Sequence, residues 1–90
     1  MKGKTTKQLE RHFKGVANHY RIAILGLVAR KKELTLEEIV ELLDANVKTI
    51  SEHTRKLVHA GLLNKRYRGR MVIHTLSPYG EISYKFIVTF

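Results

Sequence analysis

The chain has no cysteine, no tryptophan and a single proline in 90 residues. Without cysteine there is no disulfide framework, no thiolate metal site and no cysteine nucleophile. One proline and six glycines exclude a collagen-like or low-complexity chain. Long apolar runs are also missing. The longest strongly apolar stretch, Ile22 to Ala29, falls far short of the ~20 residues that a membrane span needs. Residues 1–14 are polar and basic, with no apolar segment of the secretory type. The expectation is an intracellular, cytoplasmic protein with no membrane partner. Acidic residues are scarce as well, 8 Asp and Glu against 17 Lys and Arg.

What is present fits one small folded domain over residues 1–90, with residues 1–5 as a basic frayed tail. Hydrophobic residues make up 43% of the chain, too many for a disordered segment. A domain of this size buries only about 60–65% of its unfolded surface, so a partner subunit adds stability that the monomer lacks. The net charge of +9 calls for an anionic partner, nucleic acid first. The plain alternative is a basic protein that is merely soluble.

The charge is not spread evenly. Residues 1–32 carry nine Lys and Arg against Glu10 alone, and residues 47–70 carry seven against Glu52 alone. Between them, residues 33–46 hold Glu33, Glu37, Glu38, Glu41 and Asp44 with no Lys or Arg. A fold that brings the two basic segments onto one surface makes a phosphate-binding face and leaves a second face free of that role.

Local signals divide the chain into elements. Thr6 caps a first helix whose stripe is Leu9, Phe13, Val16 and Ala17. Asn18 caps a second helix to about Lys31, apolar nearly all round and therefore central, with Gly26 permitting close packing. Thr35-Leu36-Glu37-Glu38 is a capping box opening a short third helix that buries Leu36, Ile39, Val40, Leu42 and Leu43. Asp44-Ala45-Asn46 is a tight turn, and Asn46 caps a fourth helix from Val47 to Ala60. Its inward positions are Val47, Ile50, Thr54, Leu57 and Val58, with Gly61 as a left-handed C-cap. Beyond Gly61 the period changes to that of strands. Leu62 to Tyr67 and Met71 to Leu76 form a hairpin around Arg68-Gly69-Arg70. Ser77 and Pro78 start a last helix carrying Tyr79, Ile82, Phe86 and Phe90, although residues 86–90 suit a strand equally well.

Helices three and four with their three-residue turn have the form of a helix-turn-helix. A short helix pair alone is also a common packing motif. The order helix, helix, turn, basic helix, basic hairpin is far more specific. Helix four presents Lys48, Thr49, Ser51, Glu52, His53, Arg55, Lys56 and His59 on its polar side, where short hydroxyls and long cations suit a major groove. The hairpin carries Arg66, Arg68 and Arg70, as a wing on a phosphate backbone or in a minor groove does.

These segments resemble the winged-helix regulators of the ArsR type. Val16-Ala17-Asn18-His19-Tyr20-Arg21-Ile22-Ala23-Ile24-Leu25 is similar to that family's opening pattern L-A-N/D-x-x-R-x-x-I-L. Thr49-Ile50-Ser51-Glu52-His53-Thr54-Arg55-Lys56-Leu57 resembles its recognition-helix pattern T-V-S-R-H-L-K-x-L, and Ala60-Gly61-Leu62-Leu63 its junction A-G-L-V. The resemblance covers about residues 9 to 76. Leu76-Ser77-Pro78-Tyr79-Gly80 is similar to the L-T-P-x-G that follows the wing in MarR- and PadR-like proteins. The implied fold is α+β and mostly helical, a winged helix-turn-helix with a three-helix core, a β-hairpin wing at residues 63–76 and terminal dimerisation helices. It implies a homodimer with two recognition helices about one DNA turn apart.

Three departures stand out. Glu52 replaces a frequent Arg; it pairs with Lys48 or Lys56 along the helix or accepts from a cytosine amine. Thr54 replaces an apolar residue, which loosens packing there. The positions where metal-sensing relatives carry cysteines, or histidines and acids, hold neither pattern here. The five histidines, at 12, 19, 53, 59 and 74, show no i,i+4 ligand pair. Glu37, Glu38 and Glu41 read as the solvated face and favourable N-terminus of a short helix. No nucleophile elbow, phosphate loop or dinucleotide fingerprint is present, so no catalytic residue and no cofactor is assigned.

The expected function is a sequence-specific double-stranded DNA-binding transcriptional regulator acting as a homodimer, and not a cysteine-based metal sensor. Base reading falls to Lys48, Thr49, Ser51 and His53, with Val47 against a thymine methyl. Arg66, Arg68 and Arg70 supply phosphate attraction, helped by Lys2, Lys4 and Lys7, while Arg55 and Lys56 hold the register. The dimer seam is expected at Leu9, Phe13, Val16, Ile82, Phe86 and Phe90. The alternatives are a winged-helix assembly module and a non-specific chromatin-like DNA-binding protein.

Overall fold

Every helix of the domain starts at a residue whose side chain accepts from backbone amides that the helix itself leaves unpaired. The computed structural model describes residues 3–90. The elements run α1 (Thr6–Val16), α2 (His19–Lys31), β1 (Glu33–Thr35), α3 (Leu36–Leu43), α4 (Val47–His59), β2 (Leu63–Arg68), β3 (Met71–Leu76) and α5 (Pro78–Ile87). Thr35 and Glu38 form the expected capping box, each satisfying the other's amide at 2.8 and 3.1 Å. Those bonds hold the Glu38 carboxylate below its ordinary pKa. The first helix is capped one residue earlier than expected: Thr5, not Thr6, closes a capping box with Gln8. Asn18, Asn46 and Ser77 cap as expected.

The sheet has the order β1-β3-β2 and is antiparallel throughout. Its hairpin turns at Gly69-Arg70, where Gly69 has the positive φ of 62° that a two-residue turn requires. Strand β1 has no counterpart in the sequence reading, because three residues are too few for alternation to register. It pairs with β3 through Glu33 opposite Thr75 and Leu34 opposite His74. Lys65 is also opposite His74, and Arg66 is opposite Ile73. The pleat therefore places Leu34, His74, Lys65 and Tyr67 on one face of the sheet, with Glu33, Arg66 and Arg68 on the other.

The core joins Ile24, Leu25 and Val28 of α2 to Leu34, Ile39, Ile50, Leu57, Leu62 and Leu63. Three expected core positions lie outside it. Ile22, Leu42 and Val47 are 41%, 49% and 53% exposed. Helix α2 thus keeps an exposed edge at Ile22, while Ile24, Leu25 and Val28 face the core and Gly26 lies against Tyr84 of α5. Thr54 is buried, and its hydroxyl donates to the Ser51 carbonyl at 3.0 Å, so the polar substitution is satisfied locally. The C-terminal ambiguity resolves as helix to Ile87, with no strand over residues 86–90. Helix α5 is seated where only glycine fits: a Cβ on Gly80 would clash with the Leu62 carbonyl oxygen. Among the described residues no helix is long and apolar enough to cross a membrane.

Candidate nucleic-acid interface

Helices α3 and α4 are joined by Asp44, Ala45 and Asn46, with Asp44 in the left-handed conformation that stops α3. The Asn46 side chain accepts from the amides of Lys48 and Thr49 at 2.8 and 3.3 Å. This fixes the first turn of α4, whose inward side is Ile50, Thr54 and Leu57. The opposite side presents Lys48, Ser51, Glu52, Arg55 and Lys56 to solvent, with Thr49 half-buried. Val47 stands exposed at the helix entrance rather than in the core. Glu52 forms no ion pair with Lys48 or Lys56 among the described residues, so its carboxylate stays within this exposed row.

His53 lies apart from that row. Its ring stacks on Tyr20 of α2, with centroids 5.4 Å apart and planes inclined by 24°, and its Nδ1 is buried without a partner. Burial, then the positive charges of Arg21 and Lys56, hold its pKa below the ordinary value. The imidazole is therefore a neutral packing group near neutral pH, and it faces α2 rather than the open side of α4.

The wing is brought beside α4 on the inner face of the sheet. Ser51, Thr54 and Arg55 of α4 share one cleft of about 140 Å³ with Leu36, Lys65, Val72 and His74. Lys65 and the 68%-exposed Tyr67 are thus wing residues on the side of the recognition helix. Sequence reading passed over both. The period-2 alternation that separates them from Arg66 and Arg68 was the available signal.

Arg66 and Arg68 are otherwise engaged. Glu33 of β1 takes Arg66 Nη2 on Oε2 at 2.6 Å and Arg68 Nη2 on Oε1 at 3.4 Å. Of the three wing arginines, Arg70 at the tip has no acidic partner among the described residues. Lys4 sits 4.1 Å over the Tyr79 ring, in the groove between α1 and α5, and Lys7 is exposed on α1. Lys2 lies outside the described residues.

The expected seam residues separate into groups. Leu9 and Phe13 of α1 and Ile82 and Phe86 of α5 line one groove of about 510 Å³ with His12, Tyr79 and Ser83. His12 Nε2 and Ser83 Oγ, 2.6 Å apart, tie the two helices. Val16 instead packs on the domain's own core, and Phe90 is 95% exposed with its ring edge-on to Phe86.

Comparison with known proteins places these features in a family context. A family model described as a helix-turn-helix domain matches residues 16–66. The arsenic resistance transcriptional regulator ArsR1 of Pseudomonas putida is 35% identical over 66 residues, which cover 73% of this chain and 52% of that protein. The chain therefore spans about half the length of this curated relative. Among solved structures, HlyU from Vibrio cholerae N16961 matches with a TM-score of 0.85 at 26% identity, over 97% of this chain and 94% of that one. A homodimeric winged helix-turn-helix DNA-binding domain from Mycobacterium bovis, described as a possible ArsR-family transcriptional regulator, gives 0.81 at 25% identity over 99% and 87%.

Proposed function

Because the chain belongs to the ArsR-type family of winged helix-turn-helix proteins, we propose that it is a sequence-specific double-stranded DNA-binding transcriptional regulator acting as a homodimer. The observation that carries this reading is the exposed polar face of α4, flanked on one side by the wing at the cleft shared by Ser51, Arg55 and Lys65. Lys48, Thr49 and Ser51, at the capped start of α4, reach base edges, and Val47 contacts a thymine methyl. His53 supports the helix from behind through Tyr20. Arg55, Lys56, Lys65 and Arg70 attract phosphate, and Arg66 and Arg68 join them when a phosphate displaces Glu33.

A second copy covers the groove of Leu9, Phe13, Ile82 and Phe86, since these side chains form an apolar surface that a lone monomer leaves wet. The M. bovis relative is described as homodimeric, which supports the same state here. Light scattering at tens of micromolar gives twice 10.4 kDa for the native chain, and I82E shifts it to the monomer mass. A native chain that stays monomeric refutes the seam.

The relative named for arsenic resistance raises the question of a metal signal. Arsenite and other soft ions select thiolates, and these ninety residues contain none. Among the described residues no three His, Asp or Glu side chains form a ligand group. On that chemistry no thiolate-bound metal signal is assigned to these residues: arsenite should leave both the melting temperature and the duplex affinity unchanged.

The deciding assay is fluorescence anisotropy at physiological salt, on duplexes recovered by random-sequence selection and on shuffled controls. A preference of about a thousandfold or more is expected for the selected site. Equal binding to both duplexes refutes sequence specificity and indicates a chromatin-like role. No binding to either refutes the DNA reading and favours a protein partner.

A further inference from the structure

Beside the face assigned to base reading, basic side chains from three helices converge. Arg11 and Lys14 of α1, Arg21 of α2, and Arg55, Lys56 and His59 of α4 line one cleft of about 350 Å³, completed by Gly15 and Ala60. No carboxylate lines it. The helices are held at this distance by a close crossing, since a Cβ on Gly15 would clash with the Ala60 side chain. These basic side chains are thus brought together by packing and not by any counter-charge within the cleft. Glu10 reaches Lys14 at 3.6 Å on the solvent side, an exposed pair that screening leaves weak.

Arg21 gives the cleft its character. Its residue exposure is 9%. Nη2 donates to the carbonyls of Lys14 and Ala17 at 3.3 and 3.5 Å, while the buried Nε has no partner. The other basic groups of the cleft have no counter-charge within it, and an anion there would relieve their mutual repulsion. Arginine forks and lysine ammonium groups together suit the tetrahedral oxygens of phosphate. The cleft falls within the size range of small-ligand sites. It has no Phe, Tyr or Trp wall on which a base would stack, so charge and not a ring is what it recognises.

We propose that this cleft is a phosphate-binding site, built from α1, α2 and the C-terminal half of α4, whose phosphate comes from a diffusible phosphorylated compound or from the nucleic-acid backbone. Either source ties α4 to α1 through Arg55, Lys56 and His59. A diffusible phosphate would then act on the recognition helix through its C-terminal half.

Calorimetric titration of the full chain with inorganic pyrophosphate, at constant ionic strength and without DNA, tests the first source. Saturable one-to-one binding is expected, weakened about tenfold by K14Q and by K56Q and untouched by K31Q at the far end of α2. Both lysines are exposed, so these variants keep the fold, and R21K retains the buried charge as a further check on position. If pyrophosphate does not bind but K14Q flattens the salt dependence of duplex binding by about 0.9 in log–log slope, the phosphate is the backbone's own. The site is overturned if pyrophosphate binds K14Q and K56Q as tightly as the native chain, or if it does not bind and the K14Q slope is unchanged. Because the calorimetric arm contains no DNA, its result stands apart from whether the chain binds duplex at all.

Discussion

Replacing Glu33 by Gln should tighten duplex binding, because this carboxylate occupies two of the three wing arginines. Each of its oxygens holds one guanidinium, at 2.6 Å from Arg66 and 3.4 Å from Arg68. The side chains are about half exposed, so solvent screening limits each pair to at most about 1 kcal/mol. A phosphate that recruits both arginines must displace the carboxylate twice. Removing it therefore favours binding by up to about 2 kcal/mol, or up to about thirtyfold at low salt. The fold should persist, since thermal stability changes by no more than the same small amount. Anisotropy over a salt series reads the effect directly, because each phosphate contact contributes about 0.9 to the log–log slope. E33Q should steepen that slope by up to about two contacts. In the native chain R70Q should flatten it by the full value and R66Q by less, whereas R66Q in the E33Q background should flatten it fully. Weaker binding by E33Q, or an unchanged slope, would refute the reasoning and make Glu33 a residue that aims the arginines rather than one that competes for them.

Two further predictions concern stability. Gly80→Ala places a methyl group against the Leu62 carbonyl, which already accepts from the Ser77 amide at 3.1 Å. Backbone cannot yield as a flexible side chain does, so the cost is about 1–3 kcal/mol, and the melting temperature should fall by at least about 4 °C. Gly69→Ala meets no neighbour within 4 Å and carries only the left-handed backbone strain of about 1–2 kcal/mol, with the fold intact; a G80A protein that melts like the native chain would contradict the close approach. Acid should also destabilise the domain. Burial is the first cause that lowers the pKa of His12, His53 and His74, followed by Lys4 for His12 and by Arg21 for His53. At His74 a hydrogen bond with the Leu34 backbone partly opposes burial. As pH falls through about 6.5 the unfolded chain takes up protons that the folded chain refuses, so stability is full above that pH and declines below it. His74 alone contributes a slope of up to about 1.4 kcal/mol per pH unit between 6.5 and its lowered folded value. Urea melts at pH 7.5, 6.5 and 5.5 should show the decline, and H74L should show a shallower one; identical slopes would remove His74 from the account.

The amino-acid sequence by itself determined the five helices, the hairpin and the order that makes them a winged helix-turn-helix. Those signals are local: Thr35 with Glu38, Asn46 with Lys48 and Thr49, and Ser77 with Gly80 each act within three residues of one another. Periodicity likewise predicted Ile50, Thr54 and Leu57 as the buried side of α4, leaving the basic residues outward. Exposure at the edges of the apolar stripes was not legible, because Ile22, Leu42 and Val47 lie where coverage depends on a neighbouring element and not on helical spacing. Strand β1 forms from three residues only because β3 offers its free edge. Once it forms, Glu33 meets Arg66 and Arg68 across separations of 33 and 35 residues, a pairing that no spacing along the chain announces. His53 reads as part of a basic outward row until the helices pack and Tyr20 takes its ring. The cleft around Arg21 likewise needs α1 to cross α4 at Gly15 and Ala60. Caps, turns and periods are settled between near neighbours in the chain. Charge partners and clefts depend on which distant faces the core brings together, and that only the tertiary structure decided.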